Sequence, residues 1–120
     1  MNFSIFIADP ADPVAARAIV DLLDNYASGI NGGGLGLPEA VKENLPSALA
    51  ARPGTHVILA TNGRDPAGLV ISFEEFPTFQ CRALLNIHDV MVAEKYRGQG
   101  LSKQLLAAVE KLGARPAAAR

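Results

Sequence analysis

Apolar and polar positions change period several times along this chain, and each change marks an element. Phe3 to Ile7 alternates like a short strand and stops at Asp9-Pro10, where proline cannot continue a ladder. Asp12 is a good N-cap acceptor and Pro13 suits a first helical turn, so a helix is predicted from here to about Ser28-Gly29. Its apolar face is read as Ala16, Ile19, Val20, Leu23 and Tyr26. A glycine-rich loop, Gly29 to Gly36, leads to a helical stretch from Pro38 that Pro46 is expected to kink or divide before Pro53-Gly54 ends it. Thr55 to Thr61 and Ala67 to Phe76 flank the turn signal Asn62-Gly63 and read as a hairpin. Ala83 to Val92 is a long apolar run holding Asn86, His88 and Asp89, read as a central strand. Leu101, Leu105, Val109 and Leu112 then repeat at helical spacing, with Gly113 placed as a C-terminal cap. The predicted order is βααβββα, an α/β (α+β) domain over residues 1–113 with a mostly antiparallel sheet. The Ala/Arg/Pro run of residues 114–120 is expected to be a disordered tail.

Two glycine-rich segments compete as anion cradles. Backbone amides bind phosphate best where a strand runs into a helix N-terminus, because unpaired N–H groups and the positive end of the helix dipole converge there. Gly29 to Gly36 follows a helix and lacks a Gly-Lys-Ser/Thr ending, so it reads as a connection. Arg97-Gly98-Gln99-Gly100 lies between the strongest strand and the strongest amphipathic helix, and its glycines let backbone approach a pyrophosphate. The structural alternative is a left-handed turn at Gly98 and a plain helix start at Gly100. A dinucleotide site needs an acidic residue ~20 positions beyond the glycines, where this chain has only its Ala/Arg/Pro tail.

Composition narrows the function classes. The 120 residues are 49% hydrophobic and 19% charged, enough for one soluble domain with a single core. Eleven Lys+Arg against twelve Asp+Glu leave a net charge of -1, without the basic excess that nucleic-acid binding draws on. Cys81, His56 and His88 have no metal-ligand spacing, so no metal site is expected, and a single cysteine suits a reducing cytoplasm. Cys81 is read as a buried or half-buried thiol. No apolar run reaches the ~20 residues of a membrane span, and the first ten residues lack a signal-peptide pattern, so the expected location is the cytoplasm.

The segment from Asp89 to Ser102 resembles the acetyl-CoA signature of the GNAT superfamily of N-acetyltransferases, Arg/Gln-x-x-Gly-x-Gly/Ala after a Val-rich strand. Arg97, Gly100 and Ser102 occupy its fixed positions, Ser102 replacing the usual Gly or Ala. The resemblance implies that Arg97, Gly98, Gln99, Gly100, Leu101 and Ser102 hold the pyrophosphate of acetyl-CoA and that its pantetheine arm lies along Val90, Met91 and Val92. The run Ile87 to Val92 looks most like the diamine and polyamine type, whose acidic pair is replaced here by His88 and Asp89. The acceptor is then a small-molecule primary amine. It must lose a proton before attack, and His88, with an unperturbed pKa of about 6.5, is the candidate base. A backbone N–H near Val90 is the candidate oxyanion donor. Strict alternation puts His88 with Asn86 and Val90 on one face and Asp89 with Ile87 and Met91 on the other, unless a bulge intervenes. Structural readings stay open beside these: His88 as a hydrogen-bonded histidine, Asp89 as an acceptor for backbone N–H groups, Glu74 and Glu75 as solvated carboxylates rather than an amine site, Tyr26 and Tyr96 as packing.

Members of the family continue past this helix with a strand, a helix bearing an acid tyrosine and a final hairpin, and the sequence is expected to be truncated before them. Three functions follow in order: an N-acetyltransferase, a CoA-binding fragment without turnover, and a ligand-free interaction module. The uncovered edge of the Ala83 to Val92 strand predicts a homodimer.

Overall fold

The computed structural model describes residues 2–29 and 34–113. Its elements are β1 (Ser4–Ala8), α1 (Pro13–Ser28), α2 (Glu39–Ala51), β2 (Thr55–Asn62), β3 (Asp65–Glu75), β4 (Leu84–Val92), a single 3₁₀ turn (Glu94–Tyr96) and α3 (Leu101–Gly113). The expected α+β order is observed, and the strands form one antiparallel sheet in the order β1-β2-β3-β4. The tail expected over 114–120 and part of the glycine-rich loop lie outside the described residues. No helix among the described residues is long and apolar enough to cross a membrane.

The Asp12 carboxylate accepts the Ala15 N–H at 3.0 Å, and Pro13 opens α1 as its fixed φ predisposes it to do. The buried stripe of α1 is Ala15, Ala18, Ile19 and Leu22, rotated from the expected one. Two alanines on the inner face let the helix lie close to the sheet, and this turns Tyr26 outward, 43% exposed. Helix α2 continues through Pro46 without dividing, although the ring removes one N–H from its ladder.

Each face of the sheet has its own core. Val57, Leu59, Leu69, Ile71 and Met91 pack under α1 and α2 against Ile19, Leu22 and Leu49. On the other face Ile58, Ala60 and Val70 meet the α3 stripe, and Leu101, Leu105, Val109 and Leu112 are all buried as the spacing predicts. Gly68 sets how close α3 comes, since a Cβ there would stand 2.9 Å from Leu105 Cδ1 and 3.2 Å from the Met91 carbonyl oxygen. Ala67 to Ser72 are buried without interruption, which makes β3 the covered centre of the sheet. β4, read from sequence as central, is instead an edge among the described residues. In a meander of four strands, β2 and β3 take the middle and the last strand has one neighbour.

The pairing of β3 with β4 slips once. Ile71 faces Asp89 and Ser72 faces Ile87, so His88 is the extra residue of a β-bulge. Cys81, expected to be at least half-buried, is exposed in the β3–β4 connection, where its φ of 52° serves a tight loop rather than the core.

Candidate functional site

Four features set the geometry of the β4–α3 connection. The Ala93 N–H donates to the Ala67 carbonyl at 2.8 Å, extending the β3 pairing one step past β4. The 3₁₀ turn follows, and the Arg97 N–H closes it on the Glu94 carbonyl. Gly98 at φ +80° and Gly100 at φ +78° then reverse the chain in the left-handed region that side chains rarely adopt. At both glycines a Cβ would meet nothing within 4 Å, so the backbone lies bare on an open side. The Gln104 N–H donates to the Gly100 carbonyl at 3.3 Å, and the amides of Leu101, Ser102 and Lys103 before it have no carbonyl of their own helix to bond. Donors without partners, open backbone and the positive end of a thirteen-residue helix converge here.

A pocket of about 320 Å³ opens at this point, lined by Val90, Met91, Val92, Arg97, Gly98, Gly100, Leu101 and Ser102 together with Tyr96. Eight of the nine residues assigned to the cofactor therefore surround one space. Gln99 is exposed and is not part of the lining. The Arg97 Nε–H donates to the Val92 carbonyl at 3.1 Å, holding the loop against the end of β4. Bare amides, a small pocket and an arginine suit a pyrophosphate. A larger cleft of about 920 Å³ adjoins it, walled by Met91 to Lys95 and Arg97 on one side and by Leu22, Asn25, Tyr26, Ser28 and Gly29 of the α1 end on the other.

His88 and Asp89 line neither space. Because His88 is the bulged residue, the alternation expected for this strand breaks. Asp89, half-buried, follows Ile71 onto the α1/α2 face together with Met91. Ile87 follows Ser72 onto the α3 face. The His88 ring stands edge-on to Phe73, 5.6 Å between centroids, and Phe73 packs on the α1/α2 core. The bulge thus brings His88 and Asp89 to the same side, where strict alternation separates them. Glu74 and Glu75 are both engaged: Glu74 Oε2 lies 3.4 Å from His56 Nε2, and Glu75 Oε1 accepts the Asn86 amide at 2.6 Å.

Sequence reasoning missed a polar cluster beneath the loop. Tyr96 is 5% exposed, with its ring edge-on to Phe3 at 5.5 Å. Its hydroxyl donates to Asp65 Oδ2 and accepts the Asn62 side-chain amide at 3.3 Å. Lys95 Nζ lies 2.6 Å from the same Asp65 oxygen. Hydrogen bonds from Lys95 and then Tyr96 hold the Asp65 carboxyl below its ordinary range, and donating to Asp65 raises the Lys95 ammonium above its own. The available signal was Asn62-Gly63, a hairpin turn that puts Asn62 and Asp65 side by side. On the far side of the cleft, Asp24 of α1 accepts the Leu37 N–H at 2.9 Å and pairs with Lys42 of α2 at 3.4 Å. The Leu37 bond, with help from Lys42, lowers the Asp24 carboxyl.

Residues 20–120 match the profile of the acetyltransferase (GNAT) family. Similar solved structures include an aminoglycoside acetyltransferase from an uncultured soil metagenomic sample, at 20% identity and a TM-score of 0.72. That match covers 95% of this chain and 73% of the other. The ribosomal-protein-alanine N-acetyltransferase of Brucella melitensis biovar Abortus 2308 matches at 16% and 0.72, over 94% and 72% of the two chains. A GNAT family acetyltransferase of Staphylococcus aureus subsp. aureus matches at 15% and 0.73, over 92% and 77%. Identities this low establish a shared fold. No curated protein matches the sequence.

Proposed function

This chain belongs to the acetyltransferase (GNAT) family, and on that premise we propose that it transfers an acetyl group from acetyl-CoA to a primary amine of a small molecule in the cytoplasm. The observation that carries the reading is the open backbone from Gly98 to Ser102 at the N-terminus of α3. The amides there hold the pyrophosphate, Arg97 adds positive charge beside them, and the end of β4 from Val90 to Val92 forms the wall for the pantetheine arm. Acetyl-CoA, when bound, supplies the thioester. His88 takes the proton from the incoming ammonium at a ring nitrogen, directly or through a water, so that the amine presents a lone pair. Asp89, brought to the same side by the bulge, offers its carboxylate to the positive charge of the substrate. β4 carries the partly exposed Ile87 and Val90 and pairs on one side only among the described residues, and it supports a homodimer formed along that edge.

Calorimetric titration with CoA of the wild type and Gly100→Val tests the reading. A side chain at Gly100 strains a left-handed residue and covers the amides, so binding weakens about 10²-fold or more while the helical circular dichroism is kept. Equal affinity in the two proteins overturns the assignment.

A further inference from the structure

The cluster under the loop ties the acetyl-CoA signature segment to a part of the chain outside it. Asn62 and Asp65 belong to the β2–β3 turn, whereas Lys95 and Tyr96 belong to the turn that delivers the chain into Gly98. Their contacts tie one to the other: Asn62 to the Tyr96 hydroxyl, that hydroxyl to Asp65, and Lys95 to Asp65. The two glycines that follow confer freedom, and freedom is costly where several amides must point at one ligand. Downstream, α3 is fixed by its buried stripe; upstream, β4 is an edge strand among the described residues. A loop with glycines at both its turning points therefore needs a fixed start. The buried Tyr96 ring, locked by Phe3 and by two hydrogen bonds, supplies it one residue before Arg97.

Resting on the reading above, we propose that Tyr96 and Asp65 are positioning residues for acetyl-CoA: from the β2–β3 turn they brace residues 94–97 and preset the amides of Gly98 to Ser102 before the pyrophosphate arrives. Neither residue needs to touch the reacting atoms. Tyr96 borders the 320 Å³ pocket, and Asp65 acts only through Tyr96 and Lys95.

The test is a double-mutant cycle on CoA affinity in the full chain, read by calorimetry, with Tyr96→Phe, Asp65→Ala, the double variant and Asp65→Asn. Tyr96→Phe keeps the ring and its contact with Phe3. The proposal predicts that Tyr96→Phe and Asp65→Ala each weaken CoA binding about tenfold, the scale of one lost hydrogen bond. The double variant should be no weaker than the worse single one, because both remove the same brace. Asp65→Asn, which still accepts from the tyrosine hydroxyl, should return to within about threefold of the wild type. In the CoA-free protein, backbone order parameters should fall from Gly98 to Ser102 in Tyr96→Phe while the amides of Leu105 and Val109 keep their exchange protection. Wild-type affinity in both single variants, or losses that multiply in the double variant, overturn the brace while Gly100→Val still abolishes binding. If Gly100→Val binds CoA as tightly as the wild type, the pyrophosphate reading has failed and the brace falls with it.

Discussion

At its C-terminal end β4 passes into a connection held by Ala93 on Ala67, Arg97 on Val92 and Tyr96 on Asp65, with Met91 buried beneath it. Its N-terminal half, from Leu84 to the bulge at His88, pairs with β3, keeps Leu85 partly buried against the α3-side core and leaves Asn86, Ile87 and His88 exposed. The contrast matches two tasks. On the proposed reading the C-terminal end holds a pyrophosphate, which rewards donors set in place before it binds. The end that carries the candidate base stays open, as an acceptor site requires.

The largest effect expected from this contrast is in stability. Leu105 is fully buried against Gly68 on the braced side, and Leu105→Ala should cost about 2–5 kcal/mol. Ile87 on the open half is 40% exposed, and Ile87→Ala should cost under about 1 kcal/mol. Urea unfolding of both variants reads the difference, and similar losses would mean that the open half is packed as tightly as the braced one.

The second effect is kinetic and separates the two ends by function. His88→Gln should lower kcat about 10²-fold, the usual scale of lost general-base help, with CoA affinity unchanged within about twofold. A pH–rate profile that keeps its wild-type form in the variant would return His88 to its edge-on packing against Phe73.

The smallest effect concerns acid. The Asp65 carboxyl titrates below its unfolded value of 3.8, so the stability it contributes is present above that value and is lost as pH falls through the lower, folded one. Stability of the wild type should therefore decline below about pH 4 more steeply than that of Asp65→Asn. Acid unfolding midpoints of the two proteins check this, and parallel declines would remove Asp65 from the brace.

The glycine turn and the α3 stripe were legible in the sequence; the brace beneath them and the sides taken along β4 were not. Gly98 and Gly100 announce a left-handed reversal wherever they stand between an apolar run and a helical stripe, and Leu101 to Leu112 follows local periodicity that tertiary contacts have little reason to alter. The sides taken by His88 and Asp89 depend on register with β3, and one slip between Ile71 and Ser72 moves every residue before it to the opposite face. Tyr96 read as packing because its partner Asp65 lies 31 residues away and is brought beside it only by the antiparallel pairing of β3 with β4. The stripe of α1 turned by one position for a similar reason, since the sheet rather than the helix decides how closely Ala15 and Ala18 approach.

The most direct measurement of the central claim is a CoA titration followed residue by residue in the amide spectrum of the wild-type chain. Saturable shifts that are largest at Gly98, Gly100, Leu101 and Ser102, extend to Val90 through Val92 and leave the β1 amides unmoved are the predicted result. Saturable shifts centred elsewhere, or no change at millimolar CoA, would contradict the account.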